Sequence, residues 1–255
     1  MYTNIFDTHA HYDDEAFDSD RELLISSLKD KGVVGIVSCG CDISSTVANQ
    51  NLSHSFDDFY FAAGFHPENL EDFSVKDLGK LEPFFADEKC VAVGEIGLDY
   101  HWMTSTKEKQ KEFFVAQIEL AGEKGLPVIV HDREAHGDTL DILKATKPKG
   151  VLHCFSGSVE MAREVIKLGM FVGFNGVATF KNARKIPEII KEIPLERIVL
   201  ETDCPYLAPE PHRGKRNDSS FIPFIAQRIG EILGISAQEV LNVTNKNASA
   251  LYNLT

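Results

Sequence analysis

Long apolar runs are missing from this chain. None approaches the roughly 18 residues that a membrane-spanning helix needs, which excludes a helical membrane protein. Cysteine is sparse, with five residues in 255. An odd, thinly spread set does not make a disulfide framework. Cys39 and Cys41 form a C-x-C pair in VSCGC; a zinc site there would need two more ligands, and small buried thiols are the simpler reading. Positive charge is also short. Lys and Arg number 26 against 39 Asp and Glu, leaving a formal net charge of −13. Such a chain does not bind long nucleic acid indiscriminately, because that binding depends on neutralising phosphates. It can still take a nucleic-acid end if its positive charge gathers at one mouth. A Gly-rich phosphate fingerprint after the first strand-like run is absent, which disfavours a doubly wound dinucleotide fold. No linker, low-complexity tract or composition break divides residues 1–255, so one domain is expected. The N-terminal MYTNIFDTHAH lacks a basic-then-apolar signal design. The chain is therefore expected to be cytoplasmic, complete and monomeric, with no membrane or protein partner implied.

What the sequence does have is alternation. Strand-like runs rich in β-branched and aromatic residues recur as NIFDTHA, VVGIVSCG, FYFAAGFHP, CVAVGEIG, LPVIVHD, GVLHCFS, MFVGFNG and RIVLETD. Their near-continuous apolar character suits parallel strands covered on both faces. Helical patterns fill the gaps. DSDRELLISSLKDKG closes at Gly32, and STKEKQKEFFVAQIELAGEKG opens with Ser105 and Glu108 at capping-box spacing and stops at Gly125. SVEMAREVIKLG sets Met161, Val165 and Leu168 on one face. Ile222, Ile225, Ile229 and Ile232 mark another apolar stripe, followed by a helix starting at Ser236 and Glu239. Eight such strand–helix units predict an α/β fold, a (β/α)8 barrel.

At the ends of these runs stand metal-binding side chains: His9 and His11, Glu95, His131, His153 and Asp203. Barrel enzymes build their sites at the carboxyl ends of the strands, so all six are expected at one mouth. Residues two apart in a strand share a face, roughly 6–7 Å between Cα atoms, so His-x-His can chelate one ion. Asp7, on the same face, is expected to orient a ligand as a supporting carboxylate. Glu95, between two glycines, is a buried carboxylate that calls for a cation or a hydrogen-bond network. One ion rarely takes six ligands when histidine dominates. Two divalent ions sharing Glu95 fit better, one with His9, His11 and Asp203, the other with His131 and His153. Mixed nitrogen and oxygen ligation suits Zn or Mn, with Mg at a looser position.

The segments IFDTHAHYDD, GFHPEN, VGEIGLDYH, KQKEFFVAQIELA, LPVIVHDREA, HCFSG, GFNGVATFKNA, LETDCPYLAP and PHRGKRN together resemble the TatD-type metal-dependent deoxyribonucleases, within the amidohydrolase-like barrel superfamily. They span the chain from its first strand to its last loop. The resemblance implies a divalent-metal centre at the six residues above and hydrolysis of DNA phosphodiesters, trimmed from a 3′ end. One departure stands in RGKRNDSS. The family continues Asn-Glu-Pro after the asparagine, whereas here Asp218 and Ser219 follow Asn217.

The chemistry expected of such a site is attack of an activated water on phosphorus. A bound divalent ion lowers the pKa of water toward about 7. Asp203 is the candidate for orienting that water and taking its proton. His66, in GFHP, is the candidate proton donor to the leaving oxygen. Arg133, Lys181, Arg184, Arg213, Lys215 and Arg216 follow strands and are expected to ring the mouth; Arg133, Arg213 and Lys215 are the chief candidates for holding substrate phosphate. Tyr100, His101 and Trp102 are candidates for stacking on a terminal base. DNA ends or short single strands are the expected substrate. The same centre could serve a non-nucleic amide, lactone or aminoacyl ester, and a scaffold with structural zinc is the reading from another class. That last option is disfavoured because the six ligands include no cysteine.

Overall fold

A computed structural model describes residues 1–254. Eight parallel strands form one sheet in the order of the chain: β1 (Ile5–Ala10), β2 (Val33–Cys39), β3 (Phe59–Ala63), β4 (Cys90–Asp99), β5 (Val128–Arg133), β6 (Gly150–Leu152), β7 (Phe171–Phe174) and β8 (Ile198–Leu200). Just past the end of β8 the barrel is drawn shut against β1. The Asp203 N–H donates to the His9 carbonyl at 2.9 Å and the His11 N–H to the Cys204 carbonyl at 2.8 Å. Thr8 Oγ1 donates to the Leu200 carbonyl at 3.0 Å. The result is the expected (β/α)8 barrel.

The helices are α1 (Arg21–Leu28), α2 (Ile43–Ser55), α3 (Lys107–Lys124), α4 (His136–Thr146), α5 (Val159–Lys167), α6 (Ile186–Glu192), α7 (Ile222–Leu233) and α8 (Ala237–Tyr252). Their distribution departs from strict alternation. Short 3-10 turns (Pro67–Asn69, Val75–Leu81, Phe84–Ala86) replace a helix between β3 and β4, and two helices follow β8. Gly79 and Pro83 fall inside the first gap, where they disfavour a continuous helix. The start of α3 lies one residue later than the spacing predicts. Thr106, not Ser105, is the cap, accepting from the Lys109 N–H at 3.2 Å. Gly125 ends that helix at φ 69, in the left-handed region that an L side chain avoids. On α7, Ile222, Ile225 and Ile229 are fully buried, and Ile232 is only partly covered.

Two apolar layers follow from the strand period of two. Residues such as Val130, Leu152, Val172 and Leu200 face the helices. Val37, Ile129, Val151 and Val199 form the other cluster, joined by Ala248, Leu251 and Tyr252 from α8, which plugs the barrel floor. Two residues beyond these inward apolar positions the chain places Cys39, His131, His153 and Glu201. The barrel interior thus changes from hydrocarbon at its floor to imidazole and carboxylate at its carboxyl-end mouth. No helix among the described residues is long and apolar enough to cross a membrane.

Candidate metal centre

Glu95 occupies the middle of the mouth. Its carboxylate lies 3.3 Å from His9 Nε2, 3.5 Å from His11 Nε2, 3.5 Å from His66 Nε2, 2.9 Å from His131 Nδ1 and 2.8 Å from His153 Nε2. Burial opposes its charge, but the imidazoles of His153, His9 and His66 outweigh that and hold the carboxyl well below its usual range. Asp203 completes the set. Its Oδ1 is 3.5 Å from His9 Nε2 and 3.4 Å from His11 Nε2. Its backbone sits at φ 59, a region that costs a non-glycine residue energy and is held here by the hydrogen bond to His9.

His9, in β1, and His11, just past its end, are oriented by Cys39 at the end of β2 and by Cys41 beyond it. His9 Nδ1 lies 3.4 Å from Cys39 Sγ, and His11 Nδ1 lies 3.3 Å from the Cys39 carbonyl and 3.9 Å from Cys41 Sγ. The ends of β1 and β2 thus set His-x-His against Cys-x-Cys, and the two Nε2 atoms meet at 3.0 Å. Two nitrogen lone pairs aimed at one point, with Asp203 alongside, form a donor set that a cation fits. His9, His11 and Asp203 offer ligand atoms within 4.8 Å of one another, as do His9, Glu95 and His153, and as do His66, Glu68 and His131. Burial keeps the His9 and His66 imidazoles neutral-leaning, as metal ligation requires. His131 differs: burial lowers its pKa, but Asp99 and Glu95 carry it up to about 9.

All six strand-end residues named from the sequence therefore meet at one mouth, and His66 joins them. Three acidic residues that the sequence pattern left unmarked stand beside them. Asp99 Oδ2 contacts His131 Nε2 at 2.9 Å. Glu201, fully buried, contacts His153 Nδ1 at 3.5 Å. Glu68 lies beside His66 and His131. The period of two was the signal for Asp99, which follows Glu95 by four, and for Glu201, which precedes Asp203 by two; Glu68 lies in the 3-10 turn capped by His66, where that period does not apply.

Several supporting residues take other roles than their sequence positions suggest. Asp7 contacts no imidazole. It accepts from the Thr202 N–H at 2.9 Å, Thr202 Oγ1 at 2.6 Å and Ser219 Oγ at 2.7 Å, so it joins β1 to the loop after β8. Burial raises its pKa to about 7 despite those donors. Ser219, at the sequence departure, thus fills a structural place. Arg216 does not face substrate: its guanidinium pairs with Asp20 at 2.7 Å and covers Phe17 at 4.9 Å. Tyr100 turns outward, its hydroxyl donating to Asp138 at 2.6 Å. His101 pairs with Glu134 at 2.8 Å. Trp102 remains 57 % exposed, with Arg133 over its ring at 5.4 Å. Arg213 lies over Phe180 at 4.3 Å. Lys181, Arg184 and Lys215 are exposed.

A parallel barrel whose mouth gathers imidazoles and carboxylates around one buried glutamate has the build of a metal-dependent hydrolase. A family profile described as "TatD related DNase" matches residues 6–253, and the chain belongs to this TatD family. It is 43 % identical over 253 residues to the uncharacterized metal-dependent hydrolase YabD of Bacillus subtilis, covering 98 % of this chain and 99 % of that one. It is 32 % identical over 259 residues to a 3'-5' ssDNA/RNA exonuclease TatD of Pantoea vagans, covering 98 % and 100 %. The crystal structure of the TatD homologue YjjV from Escherichia coli K12 superposes with a TM-score of 0.90, at 29 % identity and full coverage of both chains. The protein is thus a metal-dependent hydrolase of the TatD family.

Proposed function

We propose that this enzyme is a 3′–5′ exodeoxyribonuclease that trims DNA ends or short single strands with the help of two divalent ions. The observation that carries the reading is the Glu95 carboxylate, within 3.5 Å of five imidazole rings at an open barrel mouth. His9, His11 and Asp203 would hold one ion, His131 and His153 the other, with Glu95 between them. Zn, Mn or Mg are the candidate ions. When bound, they supply Lewis acidity and a water of lowered pKa.

The protein's own groups would do the rest. Asp203, ionised because the imidazoles overcome its burial, orients the attacking water and accepts its proton. His66 Nδ1 accepts from the Glu68 N–H at 3.2 Å, which leaves the proton on Nε2. That Nε2–H, beside Glu95, would offer a hydrogen bond to the leaving 3′ oxygen, which takes its proton from water or from the His66 imidazole once that ring is protonated. Arg133, Arg213 and Lys215 carry no ion pair among the described residues. They are free to meet phosphate at the mouth of an otherwise acidic chain. An acidic body with a basic mouth selects an end or a short strand over long duplex. The name of the Pantoea relative supports the same polarity and substrate class.

The test is hydrolysis of end-labelled single-stranded and duplex DNA by metal-stripped enzyme, resupplied separately with Mg, Mn or Zn. The control is the His131→Ala, Asp203→Asn double variant. Metal-dependent shortening from the 3′ end, absent in the control, is expected. No cleavage with any metal by protein that binds the ions would move the substrate to an amide, lactone or aminoacyl ester.

A further inference from the structure

Among the groups left over by this mechanism, Glu201 is the most conspicuous. It is fully buried in the barrel interior, where an uncompensated carboxylate is costly. One oxygen accepts from the Cys154 N–H at 2.6 Å and lies 3.5 Å from His153 Nδ1. The other oxygen has no hydrogen-bond partner, and neither has His153 Nδ1, which the first oxygen approaches at ion-pair distance without a hydrogen bond. The opposite side of the His153 ring presents Nε2 to Glu95 at 2.8 Å.

Room for Glu201 comes from Gly173 in β7. A Cβ at Gly173 would collide with Glu201 Oε2, lie 2.9 Å from its Cδ and 3.2 Å from His153 Cα. Gly173 pairs with Val199 in the sheet, and its φ is not in the left-handed region. Backbone conformation therefore does not call for glycine here, whereas the space the carboxylate needs does. We propose that Glu201 is a positioning residue for His153, seated in a slot opened by Gly173, and that it keeps the His153 proton on Nδ1 so that Nε2 presents its lone pair to the metal centre. A carboxylate accepts only, so it selects the Nδ1–H tautomer. Partners of this kind raise ligand basicity and fix ring orientation. The inference rests on the metal-centre reading given above.

The experiment is zinc titration of the metal-stripped full chain against a chelating indicator, for wild type, Glu201→Gln, Gly173→Ala and the double variant. Thermal midpoints of the metal-free proteins are measured in parallel. Gln keeps the volume but can donate to Nδ1, which moves the ring proton to Nε2 and removes the ligating lone pair. Glu201→Gln is expected to weaken zinc binding by about 10–100-fold, at the site shared with His153, with the other retained. Gly173→Ala should give a similar loss by displacing the carboxylate, and the double variant little more than either. If Gly173→Ala does not fold, the isosteric Glu201→Gln decides alone. Unchanged zinc affinity in Glu201→Gln would overturn the proposal. So would a loss spread equally over both sites with a lowered metal-free midpoint, which marks a structural role. Failure of wild type to bind zinc would instead overturn the metal-centre reading.

Discussion

Asp99 binds His131 with one oxygen and the chain beyond β4 with the other. Its Oδ2 lies 2.9 Å from His131 Nε2, and its Oδ1 accepts from the His101 and Trp102 N–H groups, each at 2.9 Å. One buried carboxylate therefore fixes the ring that meets Glu95 and the turn that presents the only tryptophan. With Nε2–H committed to Asp99, His131 Nδ1 is the nitrogen left to face the centre.

Asp99→Asn keeps the shape but lets the amide donate to Nε2, favouring the wrong tautomer. Metal affinity or turnover is expected to fall by about 10–100-fold. Chelator-buffered zinc titration, alongside circular dichroism to verify folding, checks this. A variant with unchanged affinity would remove Asp99 from the site.

The barrel and its mouth were legible because strand runs end in chemistry-bearing residues. His131 after LPVIV and His153 after GVL announce their own positions. Asp99 and Glu201 were harder to read, since a lone acid beside a stronger motif has no signal except the period of two, and Glu68, in a 3-10 turn, has not even that. Asp7 and Arg216 depart from expectation for a different reason. Sequence spacing gives a face, but Thr202, Ser219 and Asp20, distant in the chain, decide which partners those side chains meet. The 3-10 path between β3 and β4 carried its signs in Gly79 and Pro83, yet its packing against the β3 side of the barrel depends on tertiary contacts.

Asp203→Asn removes the proton acceptor while keeping an oxygen in place. With a short single-stranded oligonucleotide, kcat is expected to fall by about 10²–10⁴-fold, the range for losing general-base assistance. KM should stay within about threefold, because the phosphate-binding side chains are untouched. Steady-state kinetics on metal-reconstituted enzyme separates the two. Full turnover in this variant would exclude Asp203 as the base.

Trp102 is the only tryptophan, so intrinsic tryptophan fluorescence reports its loop alone. A short single strand added to metal-stripped protein should quench it, through stacking of a base on the exposed ring. Arg133→Ala removes the guanidinium over that ring and should weaken binding. Arg213→Ala and Lys215→Ala each delete one phosphate-neutralising charge, and each should reduce the slope of log affinity against log salt by about 0.7. An unquenched Trp102 and unchanged slopes would place the strand elsewhere.

His136, the first residue of α4, pairs through Nδ1 with Asp132 at 2.7 Å. That hydrogen bond raises its pKa above the usual 6.5. Because the folded value exceeds the unfolded one, the stabilisation is complete below 6.5 and is lost as pH rises through the folded value. The wild-type advantage over His136→Gln in urea midpoint should be largest below pH 6.5 and shrink as pH rises through the folded value. A difference independent of pH would show that the pair contributes no charge-dependent stability.

Metal removal should also reach the fold itself. Glu95 and Glu201 are buried at the centre of the barrel, and Glu201 Oε2 has no hydrogen-bond partner. An ion that binds this arrangement and not the unfolded chain stabilises the folded state by mass action, about 2.7 kcal/mol at a free concentration one hundred times Kd. For a chain of this size that corresponds to a rise of roughly 5–10 °C in melting temperature. Calorimetry of chelated protein, then of protein resupplied with Zn or Mn, measures it. In Glu95→Gln the carboxylate between the histidines is lost, so the metal-dependent rise should shrink while the metal-free protein still melts cooperatively. A rise of equal size in that variant would place the stabilising ion away from Glu95.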